Sequence, residues 1–418
     1  MRIIADLHIH SKYSRATSRD MALESVASWA KLKGIGLLGT GDFTHPAHFA
    51  SIEEKLEPAG SGLFALKGKP GEDQVHFMLT AEVSNIFSQG GRTRKVHSLI
   101  FSPSIEAARK MNAAFKSLGN ISSDGRPIFG FSAKDLAKLV FDASPEAMLV
   151  PAHAWTPWFS IFGSKSGFGS IEECFGEYSR HIHAIETGLS SDPEMNWRVS
   201  ALDRIALISN SDAHSPSKLG REANVFDCPM DYFEIRDILL KKDKSRFLFT
   251  VEFFPEEGKY HSDGHRACGV RLKPAETKAL SGICPSCGKP LTVGVLSRVE
   301  ELADRPEGVR PENAIPARRL VPLEEILSEA MGVGVGSQKV QREYRRLTAL
   351  APEFSYLLDM EESEIREAAG DRVASAIMKV REGDISITPG FDGEFGRISI
   401  FGHEATEEKD AEHHPSLF

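Results

Sequence analysis

The opening residues, MRIIADLHIHSKYS, place a short apolar run ahead of Asp6, His8 and His10 at alternate positions. In an extended strand those three side chains project to one side, because side-chain direction repeats every two residues. The next segment, RDMALESVASWAKLKGIGLLGTGDFTHP, spaces its apolar residues for an amphipathic helix, breaks at Gly34, and resumes as an apolar strand ending at Asp42. Together they predict a βα-unit.

The pattern recurs along the chain. VHFMLTAEVSNIF and KVHSLIF read as strands around the glycine turn SQGG, and MLVPAHAW, IHAIETG and IALISNSDAHS are apolar strands that end in polar residues. SIEAARKMNAAF and SAKDLAKLVF carry helical apolar spacing between them. Strands that deliver polar residues at their ends predict an α/β, βα-barrel-like domain over residues 1–250, with its site on one rim. A small Gly/Cys-containing module is expected at 251–298, and a mainly helical region at 299–405. That region opens with the linker-like RPEGVRPENAIPARR and contains two helical segments around GVGVG. Residues 406–418 have little capacity to form a core and are expected to be a flexible acidic tail.

Composition narrows the class. With 418 residues, 41% of them hydrophobic, and no apolar run of membrane-spanning length, the chain is expected to be soluble, globular and built from two or three domains. The start carries no basic leader with an apolar core, so cytoplasmic residence is expected. A formal charge of -9 argues against a uniformly basic nucleic-acid coat but leaves room for a local positive groove. The cysteines are Cys174, Cys228, Cys268, Cys284 and Cys287, and clustering of the last three favours metal binding over a disulfide framework.

His8 and His10 alone would fit neutral histidines bonded beneath a loop. Yet Asp42 and His45 follow a second strand, Glu82 follows FMLTA, His97 the glycine turn, His153 MLVPA, and Asp212 and His214 IALISNS. So many imidazoles and carboxylates at strand ends are costly as packing groups and useful as metal ligands on a shared rim. Glu186, at the end of IHAIE, is a further candidate. In the small module, His265-x-x-Cys268 and Cys284-x-x-Cys287 have the spacing of a closed tetrahedral zinc site. A CxxC turn with free thiols, or His261 in place of His265, are the alternatives.

Through DLHIHSKYS, TGDFTHP, LTAEVS, VHSLIF, VPAHAW and NSDAH, residues 1–250 resemble the polymerase-and-histidinol-phosphatase (PHP) superfamily. The resemblance implies a distorted (βα)7 barrel holding two or three divalent metals (zinc, manganese or magnesium) and hydrolysing phosphoesters. It assigns His8, His10, Glu82 and Asp212 to one metal, and makes Glu82 a bridge to a second held by His97 and His153. A third would fall to His214, with His45 in place of a usual ligand; the chain departs from the superfamily pattern there, since it lacks two of its common histidines and reads Asp42-Phe43 where Asp-His is usual. Asp212 would also orient or deprotonate the attacking water, and His45 or His214 would protonate the leaving oxygen. Zinc or manganese fits this mixed imidazole and carboxylate set better than magnesium.

DGHRACG, ICPSCGKPLTVGVLSRVEELADRP and GVGVGSQKVQREYRRL extend the resemblance to the endonuclease Q family over nearly the whole chain. That implies a metal-dependent endonuclease incising double- or single-stranded DNA 5′ to uracil, hypoxanthine, xanthine or an abasic site, leaving a 3′-hydroxyl and a 5′-phosphate. One structural zinc would accompany the catalytic metals. Replication or repair proteins are further expected partners, and no membrane is involved. Candidate DNA contacts are Arg92, Arg94 and Lys95 in the hairpin turn, and Trp155, Trp158 and Phe159 beside His153. Gly334 and Gly336 with Lys339 and Arg342 in the helical region complete the set. Each group equally fits packing or a solvated face. The competing functions are a PHP-type phosphomonoesterase and a noncatalytic DNA-binding scaffold.

Overall fold

A computed structural model describes residues 1–68 and 74–402. The tail expected at 406–418 lies outside the described residues. The fold is mixed α/β around a curled sheet.

Seven strands set the frame: β1 (Arg2–Asp6), β2 (Leu37–Gly39), β3 (His76–Gln89), β4 (Arg92–Ser102), β5 (Met148–Pro151), β6 (Ala184–Glu186) and β7 (Ala206–Ile208). β1, β2 and β3 pair in parallel, whereas β4 is antiparallel to both β3 and β5. β6 and β7 pair in parallel, the Ala154 N–H bonds to the Glu186 carbonyl, and an Ile9–Ala213 bridge returns the circuit to the end of β1. The regular βα repeat is therefore interrupted. Gly90 and Gly91, with φ of 61° and 72°, turn the chain tightly enough for a hairpin where a parallel pair would need a helical crossover. Two later strands, β8 (Ala223–Asp227) and β9 (Phe247–Glu252), extend the sheet antiparallel beyond β1.

Strand alternation divides the apolar residues into two layers. Ala5, Leu37, Met78, Leu99, Val150, Ala184 and Ile208 share one buried cluster inside the curl. Their neighbours Ile4, Leu38, Phe77, Ile100, Leu149, Ile185 and Leu207 belong to the cluster that receives the helices. Burial on both faces explains why these strands read as continuous apolar runs. The helix Leu23–Lys33 ends at Gly34 in the left-handed conformation, φ 86°. The helix Ala133–Ala143 starts with a reciprocal Ser132–Asp135 capping box.

Beyond the sheet, Asp263–His265 and Val270–Leu272 form a small antiparallel hairpin. The linker-like segment is not wholly loop: Ala317–Arg319 pairs in parallel with β9. Helices Leu323–Met331, Gln338–Thr348 and Asp371–Glu382 follow. A buried Lys33–Glu353 ion pair of 2.8 Å ties this helical region to the first helix.

Candidate metal centres and the surrounding rim

The donors from separate strand ends converge in two groups that share Glu82. His8, His10, Glu82 and Asp212 form one, and Glu82, His97 and His153 the other; within each, the ligand atoms lie within 4.8 Å of one another. The hairpin places Glu82 opposite Leu99 and His97 opposite Ser84, so Glu82 and His97 are diagonal neighbours on one face. Glu82 Oε2 lies 3.2 Å from His10 Nε2 and 3.6 Å from His8 Nε2. Its Oε1 lies 2.7 Å from His97 Nδ1 and 3.1 Å from His153 Nε2. One carboxylate thus presents an oxygen to each group.

The far ring nitrogens fix the tautomers. His8 Nδ1–H donates to Glu186, His10 Nδ1–H to Asp42 Oδ1 at 3.1 Å, and His153 Nδ1–H to Thr156 Oγ at 3.2 Å. Each bond occupies Nδ1 and turns Nε2 toward the centre, the orientation that metal-ligating histidines use. His8 Nε2, His10 Nε2 and Asp212 Oδ1 are buried without a hydrogen-bond partner. Three orphaned atoms of this kind, 3.1–3.5 Å from Asp212 Oδ1 to the two imidazoles, fit a divalent cation between them. Asp42, His153 and Asp212 take positive φ values of 44°, 29° and 47°, strain of the sort that collects at functional sites.

Electrostatics follow from this crowding. Burial opposes protonation of His8 and His10, but Glu186 and Asp212 around the first, and Asp42 and Asp212 around the second, raise both well above the ordinary imidazole range. Burial opposes the charge on Glu82, yet Arg126 and the histidines hold it well below the usual carboxylate range. Burial lowers His97 to about 4 despite Glu82 beside it.

Several residues fall elsewhere than expected. Glu186 is not a ligand in this arrangement: its oxygens accept from His8 Nδ1, the His153 N–H at 2.8 Å and Asn210 Nδ2 at 2.9 Å. His45 stacks on Tyr13 with centroids 4.5 Å apart, and its Nε2–H donates to the Ser122 carbonyl, so it joins neither donor group. His214 lies at the edge, its ring 4.5 Å from that of His10 and its Nδ1–H donating to the Asp212 carbonyl. Asp42 is occupied by Ser11, Ser14 and His10, and Phe43 is buried in the core, so these positions assemble no third donor group among the described residues. Asp6, in phase with the histidines, instead accepts from Ser211 and Gly220 and braces the loop carrying Asp212.

The rim contacts divide similarly. Trp155 is 1% exposed and donates to Asn196 Oδ1, so it cannot stack on a nucleotide. Arg94 is buried, bonded to the Gly167 carbonyl and Glu173, with its guanidinium 4.2 Å from the Phe168 ring centroid. Arg92 is exposed. Trp158 is 41% exposed, and Phe159 packs on the His97 ring at 4.8 Å with Lys95 above it. Gly334, Gly336, Lys339 and Arg342 lie together on an exposed turn and the following helix. In the module, away from the rim, His265, Cys268, Cys284 and Cys287 form a separate donor group, while His261 stays outside it.

One residue escaped sequence reasoning: Arg126, whose Nη1 donates to Glu82 Oε2 at 2.8 Å. Its only sequence signal is an arginine between glycine and proline in DGRP.

The curled α/β sheet and its imidazole-carboxylate rim define a protein of the PHP superfamily. The chain matches the lesion-specific endonuclease PfuEndoQ from Pyrococcus furiosus with a TM-score of 0.84 and 32% identity, covering 98% of this chain and 99% of that one. It matches an endonuclease Q complex with a 27-mer duplex substrate bearing an abasic lesion at the active site with a TM-score of 0.82 and 32% identity, covering 95% and 96%. Residues 322–384 match the family described as the MJ0043 C-terminal domain. MJ0043 of Methanocaldococcus jannaschii is 34% identical over 256 residues, 59% of this chain and 31% of that protein, so the match spans under a third of that curated relative. The chain belongs to the endonuclease Q family. Among the described residues, no helix is long and apolar enough to cross a membrane.

Proposed function

We propose that this protein is a metal-dependent endodeoxyribonuclease that incises 5′ to deaminated bases or abasic sites, leaving a 3′-hydroxyl and a 5′-phosphate. The observation that carries the reading is the pair of donor groups sharing Glu82, in a chain that aligns nearly end to end with a lesion-specific endonuclease. Residues 1–250 would be the catalytic barrel, 251–298 a zinc module and 299–405 a DNA-binding region.

His8, His10, Glu82 and Asp212 would hold one divalent ion, and Glu82, His97 and His153 a second. Such ions supply Lewis acidity toward phosphoryl oxygens and lower the pKa of water. Asp212 is 28% exposed and borders the opening, which suits it to orient the attacking water and receive its proton. His214, 33% exposed beside it, suits proton delivery to the leaving oxygen; the enclosed position of His45 does not. Trp158 and Phe159 would cover an extruded nucleotide, whose weakened pairing at a deamination mismatch lowers the cost of extrusion. Gly334, Gly336, Lys339 and Arg342 would hold the backbone. His265, Cys268, Cys284 and Cys287 suit a closed zinc site that stabilises the module. A phosphomonoesterase would leave that module and the helical region without a role.

The test is cleavage of end-labelled duplexes carrying uracil, hypoxanthine, an abasic site or no lesion, by metal-reconstituted protein. Preferred cutting of the lesion strands on the 5′ side is expected. Equal cutting of undamaged DNA, or release of a free base, would contradict it.

A further inference from the structure

The loop before β3's parallel neighbour Ile128–Phe129 holds Arg126 from both sides. Asp124 Oδ1 accepts the Arg126 N–H at 3.1 Å, and Gly125 bonds through its N–H to the Tyr13 carbonyl and through its carbonyl to Thr44 Oγ. Gly125 cannot carry a side chain, since a Cβ there would lie 2.2 Å from Asp42 Oδ2. On the other side, the Pro127 carbonyl accepts from the Ser84 N–H at 3.0 Å, two residues from Glu82. The backbone is thus locked to both the opening loop and the strand bearing the shared carboxylate.

The side chain so positioned is a cation at the heart of the donor rim. Among the described residues the guanidinium has one hydrogen-bond partner, Glu82 Oε2, although it offers five N–H donors and also feels the charges of Asp212 and Asp124. It is 28% exposed, so part of the side chain stays open to solvent beside the shared carboxylate. A carboxylate oxygen has two lone pairs and can accept this bond while also ligating an ion. An arginine that only neutralised Glu82 would need neither the open edge nor so constrained a loop.

We infer that Arg126 is a further catalytic residue, contacting a non-bridging oxygen of the scissile phosphate with the N–H groups that Glu82 leaves free. Its planar fork matches phosphate geometry, and its fixed charge meets the negative charge that grows on the equatorial oxygens as water attacks. No proton or bond is exchanged with the guanidinium. The inference rests on the endonuclease reading above.

Arg126→Gln and Arg126→Lys separate this role from mere support of Glu82. Zn²⁺ affinity, measured without DNA against a chromophoric chelator, is expected to stay near the parent's, not to fall the roughly 10–100-fold that loss of a ligand-orienting partner brings. Single-turnover cleavage of a hypoxanthine duplex is expected to fall about 100-fold in Arg126→Gln, with only part restored by lysine's point charge. Replacing the scissile phosphate by a neutral methylphosphonate should weaken duplex binding by the parent more than by Arg126→Gln. Loss of Zn²⁺ affinity in step with cleavage, cleavage at the parent rate, or equal methylphosphonate penalties would overturn the assignment. A parent protein that cuts no lesion duplex would instead defeat the endonuclease reading itself.

Discussion

His8 Nδ1 lies 3.1 Å from each oxygen of Glu186, so a carboxylate behind the rim decides which imidazole nitrogen faces the metal position. The same carboxylate accepts the His153 N–H, linking ligands of both donor groups. Glu186→Gln should therefore lower rim metal affinity by roughly 10–100-fold without removing a ligand. Chelator competition checks this, and an unchanged affinity would contradict the positioning role.

Glu222 and Glu252 sit at the next step of the antiparallel register that pairs Ala223 with Val251, both fully buried. Burial pushes Glu252 up to about 8, and burial with the neighbouring Glu252 raises Glu222 as well. The folded state then keeps a proton that the unfolded chain gives up near 4.5, so stability falls as pH rises from there to about 8 and levels off above. Glu252→Gln should flatten that slope and gain on the order of 1 kcal/mol or more at its alkaline end. Urea denaturation across the window checks the sign; an unchanged slope would contradict it.

Lys33, Glu353 and Tyr344 form a buried polar knot, with Glu353 Oε2 2.8 Å from the ammonium and 2.7 Å from the phenol oxygen, and Oε1 accepting the Leu323 N–H. Lys33→Met removes the cation and leaves the carboxylate buried, which costs about 3–5 kcal/mol for pairs of this kind. Equilibrium denaturation should show that loss. A change below about 1 kcal/mol, the range of surface pairs, would mean the knot does not bind the helical region to the first helix.

The four donors of the small module come from a hairpin and a CxxC turn, with Cys287 Sγ 3.5 Å from His265 Nδ1. Cys284→Ser is expected to remove one bound zinc and loosen the module while leaving the rim's metals in place. Mass spectrometry under native conditions counts the ions, and an unaltered count would contradict a zinc site there.

The strand-end donors were legible because each apolar run ends in a polar residue whose burial makes sense only with a partner: His8, His10, Glu82, His97, His153 and Asp212. Their local sequence carries that signal. Glu186 and His45 carry the same signal, but rotamer and neighbours turn one behind His8 and the other onto Tyr13. Likewise, Trp155 and Arg94 look like surface groups until Phe162 packs on the one and Phe168 on the other. The antiparallel pairing of β1 with β8 and the strand at Ala317–Arg319 join segments distant in sequence, which no local periodicity reports. Arg126 sits in an aperiodic loop, and only the folded rim gives it meaning.

Asp212 offers the most direct test of a rim built for phosphodiester hydrolysis. Its left-handed backbone, φ 47°, suits asparagine, so Asp212→Asn changes charge and basicity with little backbone cost. Single-turnover cleavage of a hypoxanthine duplex by Asp212→Asn is predicted to fall by about 100-fold or more, with binding of the same duplex retained. Cleavage at the parent rate would contradict the account.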